Sequence, residues 1–174
     1  MEFALKSFLL HMFLVVLLST APLFAEDRGA IQFAPLYGDG IRIDVVTGEK
    51  STWGGSYAAM RTGFEGQKPG GIVLEISRTD YVDTLFEGLY SRYGVLYSSF
   101  SVMEESLSLA EVRFVAPFIS IGMGRVIDSV VFHYGVGLGY NLIDVTSSAG
   151  GTEFDASDYS GLGLTLDLSF GVKF

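Results

Sequence analysis

The chain has 174 residues, a net charge of −9 and no cysteine. The acidic balance argues against a nucleic-acid partner or a basic patch for anionic headgroups, and the missing thiols exclude disulfide stapling and an acyl anchor on cysteine. It is 49% hydrophobic and 18% charged, below the roughly one quarter charged of an average soluble domain, yet after residue 25 its apolar residues are dispersed in alternation rather than gathered into a membrane helix.

Residues 1–25 have the layout of a secretory signal peptide: Lys6, an apolar run from Phe8 to Leu18, then small or turn-forming residues to Ala25. The run falls short of the about 20 apolar residues a spanning helix needs. An uncleaved anchor helix is the alternative, and Leu23 is larger than the residue preferred three positions before a cleavage site. Residues 26–174 then form one domain.

Alternation bounded by turn residues predicts eight strands. The first covers 30–37, with Ile31, Phe33 and Tyr37 on one face and Pro35 at a bulge. Residues 38–56 carry the turn signals GDG, TGEK and WGGS and read as a loop, although Ile41, Ile43 and Val45 alternate within it and could extend a hairpin. The second strand covers 57–65, setting Met60, Thr62 and Phe64 opposite Arg61, Gly63 and Glu65. GQKPG at 66–70 reads as a compact turn, and in the third strand Ile72, Leu74 and Ile76 alternate with Val73, Glu75 and Ser77.

Residues 79–84 read as a polar connection, followed by strands at 85–92, 95–103 and 107–123. A phase change near Ala116 and Pro117 predicts a bulge in the last of these. After a turn at 124–129, the seventh strand sets Phe132, Tyr134, Val136, Leu138, Tyr140 and Leu142 against His133, Gly135, Gly137, Gly139 and Asn141. Residues 143–160 form an acidic, Gly/Ser-rich loop. The eighth strand places Leu162, Leu164, Leu166, Leu168, Phe170, Val172 and Phe174 on one face and Gly163, Thr165, Asp167, Ser169, Gly171 and Lys173 on the other.

These elements predict an all-β fold, a closed antiparallel up-and-down transmembrane barrel of eight strands. Short connections at 66–70 and 124–129 would be periplasmic turns, and 38–56 and 143–160 external loops. Alternation alone also fits a soluble lipocalin-like barrel with its apolar face inward. Glycine placement separates the two: three alternate glycines are a poor choice for a water-exposed strand face, whereas inside a narrow barrel they make room for bulky neighbours. Tyr37, Tyr57, Phe64, Phe132, Tyr140 and Phe174 are then candidates for interfacial girdles.

The terminal apolar strand closed by Phe174, together with the signal peptide, resembles the small eight-stranded outer-membrane barrels, the class of OmpA-, OmpX- and OmpW-type domains. The resemblance implies residence in the outer membrane of a diderm bacterium, surrounded by outer-membrane lipid. It also implies that barrel-assembly machinery reads the signal Phe170, Val172 and Phe174.

In this orientation the lumen receives Arg61, Glu65, Glu75, His133, Gly135, Gly137, Gly139, Asn141, Asp167 and Lys173, with Glu111 or Arg113 depending on the bulge. Charges in so narrow an interior must pair or meet water. The first expectation is therefore a non-enzymatic barrel plugged by ion pairs, with surface loops serving membrane integrity or surface contacts. The second is a narrow OmpW-like channel for small solutes, its passage left by the glycines.

The third expectation is an enzyme acting on lipid A, motivated by size and His133. The resemblance to deacylases lacks their Ser two positions after a lipid-facing His, because Gly135 stands there. No cofactor is implied, and a lone His without Cys does not complete a transition-metal set. Asp144, Glu153, Asp155 and Asp158 of the acidic loop are either solvated or a contact for Ca²⁺ or an external ligand.

Overall fold

The structure, a computed structural model, describes residues 28–34, 39–60, 71–104, 107–147 and 160–174. The strands are β1 (Gly29–Ala34), β2 (Asp39–Gly48), β3 (Ser51–Met60), β4 (Gly71–Tyr81), β5 (Gly88–Glu104), β6 (Leu107–Ile127), β7 (Val130–Ser147) and β8 (Gly161–Lys173). Each pairs antiparallel with its sequence neighbours, and β1 pairs with β8 to close the barrel. Phe174 completes that seam: its N–H donates to the Gly29 carbonyl at 2.9 Å and its carbonyl accepts from Arg28 and Gly29. On the outer side of the seam, Phe33 and Phe170 meet edge to face at 5.4 Å.

The register fixes the shape of the barrel. Hydrogen-bonded pairs lead from Lys173 through Ala30, Asp44, Gly54, Ser77, Gly94, Phe118 and Gly139 back to Gly163, ten residues along β8 from the start. With eight strands about 4.8 Å apart and a rise of about 3.3 Å per residue, that stagger tilts the strands by about 40°. Such a barrel is just wide enough for its own side chains to fill it.

Eight strands are present, but two of the expected boundaries were misplaced and offset each other. The loop expected at 38–56 is not one: from Asp39 onward it holds β2, a turn at Glu49 and Lys50, and the first half of β3. The strands expected at 85–92 and 95–103 are one strand, β5, and Thr79 to Tyr81 belong to β4 rather than to a connection. Residues Ile143 to Ser147 extend β7, and the turn expected at 124–129 shrinks to Asp128 and Ser129. Asp128 supplies the left-handed conformation that Asp tolerates in tight turns.

The bulge expected at Ala116 and Pro117 is also absent. The ladder to β7 lapses at these two residues, since proline has no N–H, but the register is the same on both sides. The irregularity of β6 lies instead opposite Val102 and Met103 of β5. The connection containing GQKPG joins β3 to β4, so it belongs to the same end of the barrel as the β7–β8 connection and opposite the Asp128–Ser129 turn. The start of β1, the end of β8 and the short turns thus share one end, the termini end of the described barrel.

Candidate functional site

Among the described residues the barrel interior gathers the reactive side chains, and it is filled in three layers. At the termini end Ala30, Val46, Tyr81, Phe86, Tyr90 and Val131 form an apolar floor. Phe86 comes from the β4–β5 connection, is fully buried, and holds a left-handed backbone (φ 65°), a conformation costly for a bulky residue. It meets Tyr81 edge to face at 5.7 Å. Toward the loop end Ala58, Val73, Leu96 and Ala116, with Phe114 and Phe118, form an apolar roof.

Between them lies a polar layer. The guanidinium of Arg42 donates through Nη2 to Asp44 Oδ1 at 2.7 Å, through Nη1 to Glu75 Oε1 at 2.5 Å, and to Ser77 Oγ at 2.9 Å. Ser77 in turn donates to Glu75 Oε1 at 2.7 Å. Arg92 pairs with Asp167 on the opposite wall, and its Nε donates to Thr79 Oγ1 at 3.0 Å. The Tyr90 hydroxyl donates to the same Asp167 carboxylate at 2.5 Å, and the Arg92 guanidinium lies over the Tyr90 ring. Guanidinium forks suit this task because they offer several fixed donors that remain charged when desolvated.

His133 is fully buried beside this cluster. Gln32 Nε2 donates to Asp44 Oδ2 at 2.7 Å, which turns Gln32 Oε1 toward His133 Nδ1 at 2.9 Å and Ser169 Oγ at 2.7 Å. An amide oxygen only accepts, so His133 carries its proton on Nδ1 and leaves Nε2 to the Tyr81 hydroxyl at 3.2 Å. Ser169 therefore spends its proton on Gln32 rather than on the imidazole. The arrangement is a closed hydrogen-bond chain, not a nucleophile held against a base.

Of the expected lumen residues, Glu75, His133 and Asp167 meet in or beside this layer. Arg61 and Glu65 lie outside the described residues, as do the segments 1–25, Pro35, Tyr37 and Phe64. Gly135, Gly137, Gly139, Asn141 and Lys173 alternate with the exposed outer residues of β7 and β8 and so point inward. Their spacing roles differ. A Cβ on Gly135 would come within 2.9 Å of the Tyr90 hydroxyl, and one on its partner Gly122 would strike the Tyr90 ring, so this pair makes room for that phenol. Gly139 has ordinary room for a methyl group, its nearest neighbours standing at 3.4 Å.

Glu111 and Arg113 are not lumen residues. With no bulge to change its phase, β6 turns them outward, where Arg113 Nη2 donates to Glu111 Oε1 at 2.8 Å and is paired in register with Asp144 of β7. Sequence reasoning missed Gln32, Arg42, Asp44, Tyr81, Tyr90 and Arg92. The signal is present in IRIDV, where Arg42 and Asp44 alternate with Ile41, Ile43 and Val45, but the surrounding glycines have the local pattern of turns.

No protein-family model matches the sequence. No curated protein and no solved structure matches it either.

Proposed function

We propose that the protein is an integral outer-membrane barrel whose closed interior makes it a structural rather than a conducting element, with its functional contacts at the loop end. The observation that carries this reading is the inversion of polarity: charge and hydrogen bonds inside, apolar side chains outside. Phe132, Tyr134, Val136, Leu138, Tyr140 and Leu142 all stand exposed on β7, as do Leu162 to Val172 at alternate positions on β8. A soluble barrel would expose this surface to water, far beyond the few hundred Å² typical of a monomer.

The height of the surface supports the same reading. From Phe132 to Leu142 is ten residue steps, which at the strand rise and tilt amounts to about 25 Å along the axis, the height of a lipid-facing band. Charges begin where the band ends. Asp144, Arg113 and Glu111 follow at the loop end, while Arg78 with Asp80 (3.0 Å) and Arg125 lie outward toward the short turns. Tyr57, Phe132, Tyr140 and Phe174 are exposed outward and serve as girdle residues. Phe170, Val172 and Phe174 edge the closing seam, where assembly machinery would engage an unpaired terminal strand.

Membrane fractionation and planar-bilayer recording test the proposal together. The protein should stay with the membrane through carbonate washing and leave it only in detergent, and the reconstituted barrel should show no steady conductance. Release by carbonate would overturn the membrane reading. A steady ohmic current would overturn the closed interior and favour the narrow channel.

A further inference from the structure

The ionic layer contains a small gap with unusual walls. A cavity of about 20 Å³ lies among Glu75, Arg92, Phe118, Ser120, Thr165, Leu166 and Asp167, beneath the aromatic ring that begins the roof. Arg92 Nη2, Ser120 Oγ and Thr165 Oγ1 are each buried without a partner among the described residues, and all three belong to this lining. Arg92 and Ser120 are each only 3% exposed. An unsatisfied buried donor costs about 1–3 kcal/mol, so three meeting in one cavity mark a place where a polar guest is bound.

Size and charge identify the guest. The volume is that of one water, for which about 10–15 Å³ suffices. Around it the described side chains already set three carboxylates, Asp44, Glu75 and Asp167, against two guanidiniums, Arg42 and Arg92. An anion would add to the negative excess, and a cation would face the free N–H of Arg92. A neutral molecule that both accepts and donates satisfies the site.

We propose that Arg92, Ser120 and Thr165 bind one structural water, which accepts from Arg92 Nη2, exchanges hydrogen bonds with the two hydroxyls, and donates to the carboxylates lining the cavity. It completes the polar layer from β4, β5, β6 and β8 where no side chain reaches. Buried waters of this kind make about three hydrogen bonds and are costly to remove. The site depends only on the interior and holds whether or not the outer surface faces lipid.

A crystal structure of the detergent-solubilised barrel, at a resolution that shows ordered solvent, tests this directly. One density peak is expected about 2.7–3.2 Å from Arg92 Nη2 and from the hydroxyls of Ser120 and Thr165. The double variant Ser120→Ala, Thr165→Val should lose the peak while keeping the Arg92–Asp167 pair. An empty cavity in the wild type, a peak unchanged in the double variant, or an anomalous signal there after bromide soaking would each overturn the proposal, the last by showing an anion site.

Discussion

The two sides of the barrel wall differ in what they send inward. From β1, β2, β4 and β5 come long polar side chains, Gln32, Arg42, Asp44, Glu75, Tyr90 and Arg92, whereas β6 and β7 answer with Gly122, Gly124, Gly135, Gly137 and Gly139. Neither side makes sense alone. An eight-strand barrel has a fixed internal cross-section, so a guanidinium or phenol reaching across from β5 requires that something on the far wall be small. Tyr90 lying against Gly122 and Gly135 is that exchange in its clearest form. Charge on one wall and empty space on the other together make a filled interior.

The comparison breaks most sharply at Arg42, the donor that ties β2 to β4. Replacing it by Met leaves Asp44 and Glu75 buried without a counter-charge, and breaking a buried pair from one side costs about 3–5 kcal/mol. Equilibrium unfolding of the reconstituted barrel should show a loss of that size. Adding Asp44→Leu and Glu75→Leu to the Met variant should recover most of the stability, because a well-packed apolar set of similar volume is often no worse than the ion pairs it replaces. A single variant as stable as the parent would mean that water, not Arg42, compensates those carboxylates.

The same division of labour explains what could be read from the sequence. From Phe132 to Leu142 of β7 and along β8 every inward position is small or polar and every outward one large and apolar, so strand, phase and orientation are legible from HYGVGLGYNL and GLGLTLDLSF. On β3 and β5 the inward glycines misled. A Cβ on Gly54 would run into Asp44 Oδ1 and within 2.7 Å of Arg42 Nη2, and one on Gly94 would press on Ser77 Cβ at 2.6 Å. Glycine in a strand ordinarily signals a turn or bulge. Here Gly54 marks the foot of a charged pair on the neighbouring strand, and Gly94 the close approach of Ile76 and Ser77 of β4. That is a tertiary requirement, and no window of local sequence contains it.

The glycines should differ among themselves. Gly122→Ala forces a methyl group against the Tyr90 ring, an overpacking worth about 1–3 kcal/mol. Gly139→Ala meets only van der Waals contacts and should change stability by no more than about 0.5 kcal/mol. Unfolding midpoints for the two variants, measured side by side, check the contrast. Equal losses would mean that the inward glycines serve backbone geometry in general rather than the space of one phenol.

A further substitution isolates the hydroxyl of Tyr90 from its ring. Tyr90→Phe keeps the ring against Tyr81 and His133 and removes the bond to Asp167, which retains Arg92. A hydrogen bond to a charged acceptor contributes about 1.5–3 kcal/mol, and with the guanidinium still in place the lower end, about 1.5 kcal/mol, is expected. The same oxygen is among the atoms a Cβ on Gly122 would strike, so the two substitutions should not be additive. Gly122→Ala should cost less in the Tyr90→Phe background than in the parent, with a coupling of at least about 0.5 kcal/mol. Strict additivity in that cycle would place the Gly122 constraint on what the variant keeps, the Cζ of the residue 90 ring and the Tyr134 carbonyl at 2.5 Å, and would take the Tyr90 hydroxyl out of the exchange between the two walls.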